Sequence, residues 1–247
     1  MKTDLIGRTA LVTGGAKRIG RAISLALADS GANVVVSYLS SADDAQELVG
    51  EISARGVGAW SIRADLSDSG DLEALVDRVI EMAGPFDILV NNASAFPANT
   101  FADVSLRDLE SSIRTDAWAP FELGRRFARA AGTGHIVNLL DTRVTDYDWN
   151  HLAYHSAKSL LWLFTRMMAV ALAPGIAVNA VAPGLILPPP GKDAHYLESL
   201  ANGLPLKRVG NPGDVADAVL YLVGSSFVTG QVIFVDGGRH VRGNDCG

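Results

Sequence analysis

Cysteine is nearly absent from this 247-residue chain: Cys246, next to the C-terminus, is the only one, so no disulfide can form within the chain and a reducing compartment is acceptable. Positive charge is in deficit. With 21 Lys and Arg against 27 Asp and Glu, the net charge of -6 offers no surplus to a phosphate backbone or an anionic membrane, and nucleic acid is not expected as a partner. Long apolar runs are missing as well. No apolar leader precedes the strand-like Ala10-Leu11-Val12, and the richest later stretch, residues 160–173, is interrupted by Arg166. The expectation is a cytoplasmic protein without a membrane span. The five histidines, His135, His151, His155, His195 and His240, show no ligand spacing, so no metal site is expected. His151 and His155, four apart, read as surface or pocket polarity. Linkers, internal repeats and low-complexity tracts are also lacking.

What is present is an apolar content of 48%, enough to bury one sizeable core, and the reading is a single domain over 1–247. Short β-branched runs alternate with longer segments of helical period, the rhythm of parallel strands joined by crossover helices. Seven strands are predicted, at residues 9–13, 33–38, 59–63, 88–91, 135–140, 177–181 and 231–235. Helices are predicted to begin near Ile19, Ala42, Ser69, Ser105, Ala117, Ala153 and Pro212. The fold class is therefore a Rossmann-type, doubly wound α/β sheet. Two segments escape the rhythm, 96–104 and 184–207, the second opening towards Pro188-Pro189-Pro190-Gly191. Both leave the carboxyl edge of the sheet, where such folds bind ligands, and read as pocket walls, the second as a substrate loop.

Thr13-Gly14-Gly15-Ala16-Lys17-Arg18-Ile19-Gly20 follows the first strand and opens the first helix. Small residues there let backbone N–H groups approach a pyrophosphate at the positive helix end, with Gly14, Lys17, Arg18 and Ile19 as candidate contacts. Arg18 stands where a G-x-x-x-G-x-G pattern has its middle glycine. A glycine turn that merely joins strand to helix is the alternative. After the second strand the chain reads Tyr38-Leu39-Ser40-Ser41, with no acid to bond free ribose hydroxyls. Lys17 with Ser40 and Ser41 suits a 2′-phosphate, which points to NADPH; solvated turn serines remain the other reading. Asp43 and Asp44 read as caps of the next helix. Asp65-Leu66 offers a carboxylate to an adenine amino group, and Asn91-Asn92-Ala93 amides to the adenosine ribose.

Tyr154 and Lys158, four apart on a helical segment, project from one face. An adjacent ammonium favours a phenolate and is expected to lower the tyrosine pKa from about 10, making it a usable proton donor and acceptor. The lysine also suits a nicotinamide ribose.

In order and spacing, residues 13–20, Asp65-Leu66, Asn91 to Ala93, Tyr154-x-x-x-Lys158, Asn179 and Pro183-Gly184 resemble the short-chain dehydrogenase/reductase superfamily across essentially the whole chain. That family's catalytic serine, thirteen residues before the tyrosine, is here Asp141. With Thr13 to Gly20, Asn91 to Phe96 and Asp236-Gly237-Gly238-Arg239-His240, this aspartate is similar to the pteridine reductases and bacterial dihydromonapterin reductases. The resemblance implies catalysis by Asp141, Tyr154 and Lys158. It also implies cofactor contacts from Asn92, Ala93, Ser94, Pro183 and Gly184, and a pterin stacked on Phe96 with Arg18, Ser94, Asp141 and Tyr154 around it. It implies a homotetramer, in which Arg239 or Arg242 closes a neighbour's pocket. Trp149, Trp162 and His195 are further candidates for the pocket of the pterin side chain. Asp116 replaces the asparagine usual four residues before Pro120; either it relays protons in its own way or it pairs with Lys158. The leading expectation is NADPH-dependent reduction of a dihydropterin or dihydrofolate. A carbonyl reductase and a non-catalytic dinucleotide-binding regulator are the alternatives.

Overall fold

Seven β-branched runs become β1 (Thr9–Val12), β2 (Asn33–Tyr38), β3 (Ala59–Arg63), β4 (Ile88–Asn91), β5 (Gly134–Leu139), β6 (Ile176–Pro183) and β7 (Val232–Val235) in the computed structural model. It describes residues 3–189 and 191–242, so Pro190 and Cys246 lie outside the described residues. The strands pair in parallel in the order β3-β2-β1-β4-β5-β6-β7. Every residue of β1 and β4 is buried, as expected of central parallel strands covered on both faces. The predicted strands agree with these within two residues at either end.

Helices α1 (Arg18–Asp29), α2 (Ala42–Ser53) and α8 (Pro212–Gly224) bury Ile23, Leu27, Leu48, Ile52, Val215 and Val219 in one apolar cluster. Helices α3 (Ser69–Ala83), α5 (Ala119–Ala131) and α6 (Leu152–Ala171) contribute Leu75, Val79, Leu123, Phe127 and Met168 to another. The chain runs outward from β1 to β3 and returns to β4 beside β1. The strand order thus reverses between β1 and β4, which opens a crevice at their carboxyl ends.

Two details depart from the predicted elements. Helix α4 (Leu106–Ile113), capped by Ser105 and Asp108 in a reciprocal box, runs into a π-turn at Arg114–Trp118 and on into α5, all with helical dihedrals. One bent helix therefore replaces the two predicted, because a π-turn adds a residue without any change in composition. Inside the segment read as a substrate loop lies α7 (Ala194–Ala201), whose first turn is capped by Asp193 accepting from the Tyr196 N–H at 3.2 Å. Among the described residues no helix is long and apolar enough to cross a membrane.

A buried polar chain fixes the central elements against each other. Asn91 Nδ2 donates to Asn138 Oδ1 (2.8 Å), Asn138 Nδ2 to Thr165 Oγ1 (2.9 Å), and Thr165 Oγ1 to the Leu161 carbonyl (2.8 Å). All three side chains are buried, so each bond is made where water cannot replace it. The chain joins β4 and β5 to α6, the elements that carry Asn92, Asp141 and Tyr154 at their ends. Thr165→Val keeps the shape but leaves the Asn138 amide without its acceptor. Urea unfolding is expected to show a loss of about 1–3 kcal/mol with an unchanged m value. A stability within error of the parent would show that the chain carries no weight.

Candidate active site

The glycine loop is clamped to β4. Thr13 Oγ1 accepts from the N–H groups of Asn92 and Ala93, both at 3.0 Å, while Asn92 Nδ2 donates to the carbonyls of Thr13 (2.9 Å) and Gly14 (3.0 Å). Both amide hydrogens of Asn92 are thereby committed to the loop, so the side-chain donors expected to bracket a ribose serve the clamp instead. Gly14 and Gly20 are required by close approach. A Cβ on Gly14 would lie 2.9 Å from Ala93 Cα, and one on Gly20 would lie 2.4 Å from the Gly14 carbonyl. Arg18, in the middle-glycine position, adopts φ +54°, the left-handed backbone that glycine takes without strain. Its guanidinium donates to the Pro188 carbonyl at 2.8 Å, tying the loop to the segment after β6.

Helix α1 begins at Lys17 without a side-chain cap and without an acid in its first turn, whereas Asp68, Ser105, Asp193 and Asn211 cap α3, α4, α7 and α8. Its free N–H groups and positive pole fit a pyrophosphate. Ile19 packs on the core beside them. At the end of β2, Tyr38 also packs on the core, Ser40 is exposed, and Ser41 occupies the N-cap of α2 with its hydroxyl uncommitted to capping. Asp44 does not cap α2 as predicted: its carboxylate meets Lys17 Nζ at 2.8 Å, both side chains being about half exposed. The lysine is thus paired with an acid from the first turn of α2. Leu66 is buried, and the hydroxyl and N–H of Ser67 hold the Asp65 carboxyl below the usual carboxylate range, as an ionised acceptor. Pro183 ends β6. The Gly184 N–H donates to Val235 O at 2.9 Å, and a Cβ on Gly184 would lie 2.6 Å from that of Asp236.

The reactive groups converge from three elements. Helix α6 presents Tyr154 and Lys158. The 3₁₀ turn Thr142–Thr145 is capped by Asp141, whose Oδ1 accepts from the Arg143 N–H at 2.8 Å. The Tyr154 hydroxyl donates to Asp141 Oδ2 at 3.4 Å. Lys158, buried, donates to the Leu139 carbonyl at 2.8 Å, and its Nζ lies 3.6 Å from Asp116 Oδ1 in the π-turn. Ser94 donates its hydroxyl to the same carboxylate oxygen. Of the two roles open to Asp116, direct pairing with Lys158 is the one observed.

Burial pushes the Asp116 carboxyl above its ordinary range, against the pull of Lys158 and Ser94. Tyr154 reverses the expectation from its sequence spacing. Burial first, then the charges of Asp141 and Asp116, raise its phenol well above the usual value instead of lowering it. The physical reason is burial, to which Asp141 and Asp116 add negative charge, while the Lys158 ammonium, 5.6 Å from the ring centroid, is itself paired with Asp116. Tyr154 is accordingly a neutral phenol that donates, and Asp141 is the group it donates to.

Phe96 is 44% exposed, with one face stacked on His151 at 3.7 Å between centroids and Tyr154 set perpendicular to it at 4.7 Å. The other predicted pocket residues are dispersed. Trp162, on α6, packs against an apolar cluster, Trp149 contacts Tyr147 and Phe101, and His195 stands exposed on α7 beside Glu198. His155, read as surface or pocket polarity, is buried.

Two charged groups near Asp141, Arg143 and Asp148, were not singled out by motif. Arg143 donates to the Tyr147 carbonyl at 2.7 Å and pairs with Asp148 at 3.3 Å. Arg239 is depressed by burial and by Arg143, against Asp141, Asp146 and Asp148, which places it in the electrostatic field of this chain's own Asp141. The alternating charge of Asp141-Thr142-Arg143-Val144-Thr145-Asp146-Tyr147-Asp148 was the available signal. No group of His, Cys, Asp or Glu able to hold a metal occurs among the described residues.

Comparison with known proteins agrees with this geometry. The family described as enoyl-(acyl carrier protein) reductase matches residues 14–240. The 3-oxoacyl-[acyl-carrier-protein] reductase FabG of Staphylococcus aureus is 32% identical over 95% of this chain and 98% of its own length. FolM alternative dihydrofolate reductase 1 from Brucella canis, solved with NADP, superposes with a TM-score of 0.89 at 33% identity, covering 96% of each chain. A short-chain dehydrogenase from Burkholderia cenocepacia, also in complex with NADP, gives 0.89 at 35% identity over 95% of this chain and 98% of that one.

The raised Asp116 pKa has a thermodynamic consequence with a definite sign. A carboxyl whose folded pKa exceeds its unfolded value contributes stability that is full below the unfolded pKa and is lost as pH rises through the folded one. Asp116→Asn removes that loss. Its melting temperature relative to the parent is expected to climb between about pH 4 and pH 7. A difference that stays flat or falls over this window would contradict a strained carboxylate at 116.

Proposed function

The chain belongs to the short-chain dehydrogenase/reductase superfamily, and on that premise we propose that it reduces a dihydropterin, such as dihydromonapterin, dihydrobiopterin or dihydrofolate, to the tetrahydro form. Its cofactor is NADPH. The uncapped start of α1 and the Gly14–Gly20 approach fit the pyrophosphate, while Lys17, Ser40 and Ser41 fit the 2′-phosphate. When bound, the cofactor supplies the hydride. The chain's own residues supply orientation and the proton.

The observation that carries this reading is the carboxylate of Asp141 in the place of a catalytic serine, bonded by a phenol held neutral. A pterin C=N bond accepts hydride at carbon and needs a proton at nitrogen, and its amino groups need an acceptor. A carboxyl serves as either, donating as the acid and accepting as the carboxylate. Tyr154 hydrogen-bonds the same group and stays protonated near neutral pH. Phe96, backed by His151, offers an aromatic face for a flat ring system. Arg18, fixed to Pro188, and Ser94, fixed to Asp116, stand at the rim. Lys158 keeps the Leu139 end of β5 and the π-turn in register beneath them.

Similarity to FabG favours a second reading, reduction of a 3-oxoacyl thioester. There a neutral hydroxyl pair polarises a carbonyl oxygen, and Asp141 stands in the place of one of the two hydroxyls. The two readings separate in one assay of NADPH oxidation with dihydromonapterin, dihydrobiopterin, dihydrofolate and a 3-oxoacyl thioester. Turnover of a pterin, abolished by Tyr154→Phe without loss of NADPH affinity, is expected; turnover of the thioester alone would replace this reading with the second.

Cofactor choice is tested separately. Lys17→Ala is expected to weaken NADPH by about tenfold or more and to leave NADH nearly unchanged. Equal effects on both would remove Lys17 from the phosphate site. We also infer that like chains associate through α5 and α6, where Trp118 just before α5 and Leu163, Met167 and Val170 on α6 stand exposed. Light scattering is expected to give four chains per particle, and a monomer at micromolar concentration would contradict this.

A further inference from the structure

His155 has no part in the chemistry described so far, yet it is 93% buried by its 7% exposure, and both of its ring nitrogens are buried without a hydrogen-bond partner. Such groups are rare in folded proteins because each forfeits its bonds to water. The imidazole lies between two carboxylates. Its Nδ1 is 4.0 Å from Asp141 Oδ1, and its Nε2 is 3.8 Å from Asp148 Oδ2. Either gap exceeds a normal hydrogen bond by about 1 Å, a distance that a small side-chain rotation closes. Asp148 has its side chain 17% exposed and so reaches water, whereas Asp141 reaches Tyr154 on its other oxygen.

We propose that His155 relays protons from the solvent side of Asp148 to Asp141, recharging the acid that serves the substrate. The need for a relay rests on the reading of Asp141 as proton donor. A ring lying against Phe96 and Asp141 covers the open side of that carboxyl, and His155 faces its other oxygen. In each turnover Asp141 loses its O–H proton to the substrate and becomes a carboxylate. It regains a proton from His155 Nδ1–H as Nε2 takes one from Asp148, which water reprotonates, and a turn of the ring then returns the remaining proton to the Asp141 side for the next cycle. One proton enters for each hydride delivered, and no electrons move within the relay.

The groups facing His155 are of mixed charge: against burial, its largest influence, the Asn150 N–H and the Arg143 charge hold the Asp148 carboxyl below the usual range. Asp141 caps the 3₁₀ turn, Arg143 lies within it, Asp148 lies in the following loop, and His151 is one turn earlier at the start of α6. The rings of Tyr154 and Phe96 pack against it at 4.9 Å and 6.4 Å. Burial is the largest influence on the imidazole and lowers its pKa; Arg143 and His151 act in the same direction, and Asp141 and Asp148 oppose them. His155 therefore rests neutral with one nitrogen protonated, able to accept at one side while donating at the other.

His155 is a positioning residue in this scheme, so its test compares the first turnover with later ones. His155→Phe, which keeps the ring packing, is expected to bind NADPH normally and to complete a single turnover from enzyme equilibrated at low pH within about twofold of the parental rate. Its steady-state kcat is expected to fall by about tenfold, to lose the parental pH profile and to recover with added imidazole. Asp148→Asn is expected to lower kcat in the same way and keeps the test open if the first variant fails to fold. Parental kcat and pH profile in either folded variant would overturn the proposal, as would equal losses in single turnover and steady state. A parent that turns over no pterin sinks the substrate reading; the same comparison then runs on whichever carbonyl the parent reduces.

Discussion

The active edge depends on one buried ammonium. Lys158 reaches from α6 to the carbonyl at the end of β5 and to the carboxylate of the π-turn, joining three elements that are distant in sequence. A charge so deeply buried is tolerable only when paired and hydrogen-bonded, and Asp116 and Leu139 supply those partners. The partners are fixed in turn. Asp116 receives the Ser94 hydroxyl, and Ser94 follows the Asn92-Ala93 segment that clamps the glycine loop through Thr13. The cofactor end and the proton-donating end are thus parts of one hydrogen-bonded arrangement.

Around that ammonium the site gathers more negative charge than its family pattern requires. Asp116 stands where an asparagine is usual and Asp141 where a serine is usual, and both push the Tyr154 phenol up, in the same direction as burial. The consequence is a shift of work between the two groups. A phenol of ordinary pKa beside a free ammonium can give and take protons by itself. In the proposed reduction, a phenol held neutral between two carboxylates keeps its own proton and hydrogen-bonds an acid instead, and Asp141 is the group that exchanges. Chemistry of that kind suits protonation of a ring nitrogen better than stabilisation of an oxyanion. Arg143 and Arg239 set the local balance, since without cations nearby three carboxylates could not approach one phenol and one imidazole.

Much of this was legible in the residues alone, for identifiable reasons. Strand positions followed from β-branched runs, the loop, Tyr154 and Lys158 from spacing that the fold cannot vary freely, and Asp141 from the family resemblance. Arg18 is instructive: the sequence shows it in the place of a glycine, and only its φ of +54° shows that the left-handed backbone is kept without one. What escaped the sequence depends on long-range folding. The π-turn arises from one extra residue in a helix of ordinary composition, and it decides that Asp116 meets Lys158. The pairing of Asp44 with Lys17 depends on how α2 packs beside the loop. The burial of His155 depends on residues 141–150 folding back over α6; its sequence position left surface and pocket polarity both open. The expected drop in the Tyr154 pKa failed because spacing brings a lysine near but does not reveal the burial of the phenol or the closeness of Asp141 and Asp116 to it.

The central claim is that the carboxylate at 141 selects the reaction. It is tested most directly by Asp141→Ser, which restores the residue usual in the superfamily, with kcat/KM measured for a dihydropterin and a simple ketone in the same preparation. The account predicts that pterin reduction falls by about a hundredfold or more while ketone reduction holds or rises, with NADPH affinity unchanged. Undiminished pterin turnover by Asp141→Ser would contradict it.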